Sequence, residues 1–329
     1  MDPQNNPFQD AWAAFSDKSD PWRRILIESV AEIKIFGTLA SPNNNEAVLI
    51  TSPSLSSYAE KLPSGQGFEV KLYELDGVKN LLIEKKNGAD LSLFSTMVFD
   101  VFSSLKSPKL LPESALIDRM MLRIKSWQEF MKKGSKKLSY EHELGLIGEL
   151  QCIQDMFLLG SRKEDVISHW VGPYRGVQDF IFDVGALEVK TTASPEAFKA
   201  KINSLEQLDD FFISPIFLFG YRFQQSAKGL TLNDFVDGVR KIISVDESSL
   251  NKFNSSLIAA GYLSEHRKDY TRQFKYVERL IWNIDSEFPK LTSTNTHPAV
   301  VRATYSIDLI QVVHNDIVLD DVLVKLGVK

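Results

Sequence analysis

A change of pattern near residue 110 limits what this 329-residue chain can fold into more than any other feature. Before it, five β-rich segments (24–29, 32–39, 47–51, 68–75 and 79–85) follow one another with no helix between them. Turn-forming stretches separate them: Ser41-Pro42-Asn43-Asn44-Asn45, Ser64-Gly65-Gln66-Gly67 and Asp76-Gly77. Strands in unbroken series pair with their neighbours, which predicts a small antiparallel sheet. Asp90 is placed to cap a helix running to about Leu105, and Lys106-Ser107-Pro108 ends it. After Pro112, helical and strand patterns alternate. Apolar residues at helical spacing fill 113–133, Gly134-Ser135 interrupts them, and Leu146, Leu150, Ile153 and Phe157 mark another helix. Strands are expected around 178–182 and 186–191, a helix near 195–202, and a strand over 211–223. A helix opening at Thr231, one over 248–260, and strands around 276–284 and 299–309 complete the chain. The expected class is α/β. An N-terminal β-rich domain plus helix would cover 1–111 and a second domain 112–329.

Composition removes several chemistries. A single cysteine, Cys152, excludes a disulfide framework and a Cys-rich zinc site. His142, His169, His266, His297 and His314 are scattered, with no pair at zinc-binding spacing. Neither a phosphate-cradling Gly-x-x-x-x-Gly-Lys-[Ser/Thr] nor a Gly-x-Ser-x-Gly nucleophile elbow is present. Apolar runs such as 213–219 fall short of the roughly 20 residues of a membrane span. The opening MDPQNNPFQDAW lacks the basic and apolar regions of a secretory signal. These points predict a soluble, cytoplasmic protein with no membrane partner. A net charge of −5 argues against non-specific coating of nucleic acid, although local patches decide binding. One such patch is the run 119–137, where Arg119, Arg123, Lys125, Lys132, Lys133, Lys136 and Lys137 oppose Glu129 alone. Most runs of this kind are solvated helix faces. Its place ahead of the segment described next makes it a candidate nucleic-acid contact, as is Arg175.

That segment is Gln178-Asp179-Phe180-Ile181-Phe182-Asp183-Val184-Gly185-Ala186-Leu187-Glu188-Val189-Lys190-Thr191-Thr192. Strand side chains alternate faces, so Glu188 and Lys190 project together while Leu187, Val189 and Thr191 take the other face. A turn at Asp183-Val184-Gly185 would bring Asp179 and Glu188 onto neighbouring strands within reach of one hard cation. Lys190 could then position a water or stabilise charge growing on a phosphoryl oxygen, as phosphodiester hydrolysis requires. Asp183 is the alternative ligand, and Gln178 and Thr192 are accessory candidates. The competing reading makes Asp179 a cap and Glu188–Lys190 an exposed charge pair. Upstream, Glu149 flanks the apolar stripe of its helix and can face the sheet edge, with Glu143 the weaker candidate on the opposite flank. Gly145 and Gly148 each cost a plain helix about 1 kcal/mol, which suggests close approach of another group.

Asp179 followed after eight residues by Glu188-Val189-Lys190 resembles the motif of the PD-(D/E)XK nuclease superfamily. Glu149, within Gly145-Leu146-Ile147-Gly148-Glu149-Leu150, is similar to the helix glutamate that many members place before that motif. Together with Trp170-x-Gly172-Pro173 and Gln178-Asp179-Phe180, the set resembles a bacterial branch associated with restriction and phage-defence genes. Gln178 stands where the motif's name has proline. The resemblance, clearest over residues 140–225, implies a restriction-endonuclease-like core of helix, mixed sheet and helix. It implies that Asp179, Glu188 and the Val189 carbonyl bind Mg2+ (or Mn2+), that Lys190 serves the attacking water, and that Glu149 is an accessory ligand. The expected activity is cleavage of DNA, with other defence proteins and a second copy of the chain as further partners. The alternative is an inactive nuclease-fold subunit that binds DNA or assembles with other proteins.

Overall fold

The computed structural model describes residues 6–15, 23–57, 62–75, 77–105, 111–133, 137–211, 213–313 and 317–329. The chain divides into two compact units, Met1–Ser135 and Lys136–Lys329.

In the first unit a short helix α1 (Pro7–Ala13) precedes β1 (Arg24–Val30), β2 (Ile33–Ala40), β3 (Asn45–Thr51), β4 (Phe68–Leu75) and β5 (Val78–Lys85). The strands form one antiparallel sheet in the order β1-β2-β3-β5-β4. They lie where the turn punctuation placed them. Gly77, at φ 74°, supplies the left-handed residue of the tight β4–β5 connection. Helix α2 (Leu91–Ser103) starts at the Asp90 cap, whose carboxylate accepts the Leu93 N–H. Helix α3 (Glu113–Lys133), placed on sequence pattern at the head of the second domain, packs here against α2. Its periodicity revealed a buried face (Met120, Ile124, Trp127 and Phe130) but not which partner covers it.

The second unit opens with α4 (Tyr140–Leu158) and α5 (Lys163–His169), followed by β6 (Phe180–Phe182), β7 (Gly185–Thr192), β8 (Lys199–Ile202) and β9 (Ile216–Thr231). Then come α6 (Leu232–Ile243), α7 (Glu247–Ala260), β10 (Gln273–Asn283), β11 (Tyr305–Asp308) and α8 (Leu319–Lys325). A mixed sheet runs β10-β9-β7-β6, with the β7–β9 pair parallel and the other two antiparallel. Alternation along its strands buries both faces. Leu187, Val189, Phe217 and Phe219 join the large core with Leu146, Leu150 and Ile153 of α4. Ala186, Ile216 and Leu218 join a smaller core with Phe198, Ala200 and Ile202.

The helix expected near 195–202 is instead strand β8, paired antiparallel with β11. Lys199 and Lys201 are exposed while Ala200 and Ile202 are buried, a period of two that excludes a helical face. The strand expected over 211–223 starts later and continues to Thr231, where a capping box with Asp234 opens α6. Among the described residues, no helix is long and apolar enough to cross a membrane.

Candidate active site

Hydrophobic burial fixes the strand that carries the acidic pair. Leu187 and Val189 are sunk in the large core, so the intervening Glu188, itself 1% exposed, must point to the opposite face. Lys190 follows it there, and its Nζ lies 2.5 Å from Glu188 Oε1. Residues Phe180 and Leu187 are partners in the β6–β7 ladder, which sets Asp179 opposite Glu188. The Val189 N–H donates to Asp179 Oδ2 at 2.8 Å, locking the aspartate across the strand pair.

Helix α4 brings the third acid. A Cβ at Gly148 would collide with Thr191 of β7 and touch Val189 at 3.3 Å, so glycine here lets helix and strand close together. Gly145 has open space where a Cβ would go, so only one of the two glycines is explained by close approach. Glu149, one residue on and half-buried, receives the Trp170 indole N–H at 2.6 Å. The loop after Trp170 is tied to the motif, because the Val171 and Gly172 N–H groups both donate to the Asp179 carbonyl at 2.9 Å. A Cβ at Gly172 would lie 2.7 Å from Asp179 Oδ1 and 3.3 Å from Glu149 Oε2. The two carboxylates therefore face each other across a space that only glycine leaves open.

The electrostatics are those of charges gathered out of water. Burial, reinforced by the nearby Asp179 charge, pushes the Glu188 carboxyl up to about 8. Burial also raises Asp179, against the pull of Lys190 and the Val189 N–H. Burial acts to lower Lys190, but the Glu188 and Asp179 charges outweigh it and leave the ammonium above its ordinary value. Glu188 Oε2 is buried without a hydrogen-bond partner. Such an atom normally costs about 1–3 kcal/mol or more for a charged group. Glu143 Oε1 is left in the same way beside Arg272, so what distinguishes Glu188 Oε2 is the second acid, Asp179, and the lysine, Lys190, next to it.

The other residues singled out in the sequence have varied fates. Glu143 is fully buried and paired with Arg272, in the first turn of α4 and short of Glu149. Asp183, the alternative ligand, has a side chain 98% exposed at the β6–β7 turn and lies near His169. Thr192 donates to the Ala197 carbonyl and accepts the Ser194 N–H, closing a local turn. Gln178 is buried, and its amide donates to the carbonyls of Glu206 and Gln207. Arg175 is exposed in the loop after Gly172. In the basic run, Arg123 makes a two-point pair with Asp100 at 2.7 Å and is 9% exposed, so it is committed to internal structure rather than to a surface contact. Arg119 donates to the Ser104 carbonyl, Lys125 is half-buried, and Lys132 pairs with Glu129 at 2.5 Å. Lys137 is exposed; Lys136 and the Lys133 side chain lie outside the described residues.

Two participants escaped the sequence. Trp170 is 1% exposed like an ordinary core residue, yet its N–H serves Glu149. Gln207 carried no signal at all, and its amide donates to Glu188 Oε1 at 2.6 Å.

A family model described as "Putative PD-(D/E)XK family member, (DUF4420)" matches residues 8–310. The chain belongs to this family. No curated protein and no solved structure matches it. Membership agrees with the mixed α/β architecture. Among the described residues, no three His, Cys, Asp or Glu side chains converge as a ready-made metal cage. The donor set still fits a small hard cation. Glu188 Oε2 lacks a partner, Asp179 Oδ1 faces the gap over Gly172, and an ion such as Mg2+ keeps several waters besides one or two carboxylates.

Proposed function

We propose that this PD-(D/E)XK family member is a Mg2+-dependent (or Mn2+-dependent) nuclease that hydrolyses DNA phosphodiester bonds. The observation that carries the reading is the buried, partnerless Glu188 Oε2 beside Asp179 and Lys190. Asp179, Glu188 and the Val189 carbonyl would hold the ion, which supplies a more acidic bound water and neutralises phosphate charge. Lys190, cationic and fixed by Glu188, is placed to orient the attacking water and to meet charge growing on the phosphoryl oxygen. Glu149, oriented by Trp170, faces Asp179 and would steer water or the ion's outer ligands. The proposed setting is restriction of foreign DNA, which rests on the motif resemblance.

A second reading has an observation of its own. Lys190 already neutralises Glu188, and no three ligating side chains converge among the described residues, as expected of a nuclease-fold subunit that only binds DNA or assembles with other proteins. One experiment separates the two. Purified full chain is assayed for nicking of supercoiled plasmid with Mg2+ or Mn2+, beside Glu188→Gln and Lys190→Ala. The nuclease reading expects each variant to melt cooperatively yet lose at least about a hundredfold in nicking rate. Full activity in either variant would rule out this site. A wild type that neither nicks nor takes up Mn2+ would leave the subunit reading standing.

A further inference from the structure

Gln207 lies on a 3-10 turn, Glu206–Leu208, that joins β8 to β9 and is anchored by the fully buried Leu208. Both ends of its amide are engaged. Oε1 accepts the Asn203 N–H at 2.9 Å, and Nε2 donates to Glu188 Oε1 at 2.6 Å. With the oxygen occupied by a backbone donor, the amide cannot flip, so it must present N–H to the glutamate. The turn itself is clamped to the motif. The Gln178 amide donates to the Glu206 and Gln207 carbonyls at 3.3 and 3.1 Å, and Gln178 immediately precedes Asp179.

Glu188 Oε1 consequently accepts from Lys190 and Gln207 at once, while Oε2 accepts from nothing. Two donors on one oxygen restrain rotation of the carboxylate about its last bond, which Lys190 alone, on a flexible stem, does poorly. We propose that Gln207 is a positioning residue that fixes the Glu188 carboxylate so that Oε2 alone is offered to an incoming divalent cation. The inference rests on the metal-dependent reading above and adds to it a residue outside the motif. Partners of this kind outside the ligand set typically change metal affinity by about 10–100-fold.

The test uses full chain carrying Gln207→Ala, Gln207→Met, which keeps the volume without the donor, and Gln178→Ala. Mn2+ affinity is measured by calorimetry, and plasmid nicking is followed as a function of Mg2+ concentration. Both Gln207 variants should bind Mn2+ about 10–100-fold more weakly and need correspondingly more Mg2+ for half-maximal nicking, with the loss recovered as Mg2+ is raised. Gln178→Ala should show a smaller loss of the same kind. A role confined to fold stability predicts something else: a lower melting temperature, unchanged Mn2+ affinity in the folded fraction, and a rate deficit that added metal does not recover. That pattern, in a background where wild type binds and cuts, overturns the role of Gln207 and leaves the nuclease reading intact. A wild type that takes up no Mn2+ overturns both.

Discussion

Asp155 and Glu188 are both acids set against the mixed sheet of the second unit, and their surroundings differ atom by atom. Asp155, on α4, is fully subscribed. Gln151 donates to one oxygen at 2.8 Å, and Tyr221 of β9 and Arg279 of β10 donate to the other. Glu188 has two donors crowded on one oxygen and none on its neighbour. A closed network of the first kind ties α4 to two strands and has no capacity left for a ligand. The second keeps a buried carboxyl oxygen dry and without a hydrogen-bond partner, which folding alone does not favour. The contrast sets a closed acid against an open one in the same unit, and each prediction below attacks one side of it.

The largest effect on stability is expected at the closed site. Asp155→Ala leaves the Tyr221 hydroxyl buried without its acceptor and the Arg279 guanidinium without its counter-ion. Loss of one partner from a buried pair costs about 3–5 kcal/mol, and the lower end applies because a quarter of the Arg279 side chain reaches water. Urea unfolding of the full chain should show a destabilisation of about 3 kcal/mol. A change within experimental scatter would mean that the network is ornamental and the contrast false.

The open site should respond with the opposite sign. In the unfolded chain Glu188 titrates near the ordinary value of 4.5, whereas in the folded, metal-free protein it titrates near 8 with Asp179 and Lys190 facing it. Between those values the folded state holds a proton that the unfolded state has lost. Its contribution to stability is therefore greatest below about pH 4.5 and falls as pH rises towards about 8. Glu188→Gln removes that titration. In melts performed with a chelator, wild type should lose ground to the variant between about pH 5 and about pH 8. Parallel melting curves for the two proteins would show that Glu188 is not strained by its setting.

Much of this site was legible before any coordinates, for a physical reason: strand alternation puts Glu188 and Lys190 on one face whatever lies around them. Gly148 was legible for a similar reason, because glycine in mid-helix is costly unless something comes close. What could not be read was partnership across long separations. Gln207 reaches Glu188 from a turn 19 residues away, and Trp170 reaches Glu149 from 21 residues away, with no periodicity to announce either. Strand β8 was misread because its alternation spans only four residues and its pairing partner, β11, lies about a hundred residues further along the chain. Arg123 was visible as a cation in a basic run, but its commitment to Asp100 and the packing of α3 on α2 depend on a helix 23 residues upstream.

That last residue frames the smallest expected effect. The basic run 119–137 repeats the contrast between closed and open charges within the first unit and the start of the second. Arg123 is closed, since both Asp100 oxygens accept from it and Trp127 adds a third donor at 2.7 Å. Lys137 is exposed, and Lys132, although paired with Glu129, also keeps its side chain at the surface. If the run faces DNA phosphates, replacing Lys132 and Lys137 with alanine should reduce the slope of log K against log[salt] by at most about 0.9 per lost contact. Arg123→Ala should leave that slope alone and lower the melting temperature instead, because Asp100 loses its two-point partner. Fluorescence anisotropy of a labelled duplex at several salt concentrations reads the first, and a thermal melt reads the second. An unchanged slope in the lysine variant, where wild type binds measurably, would remove the run from the proposed DNA-binding surface and leave the exposed Arg175, four residues before Asp179, to examine next.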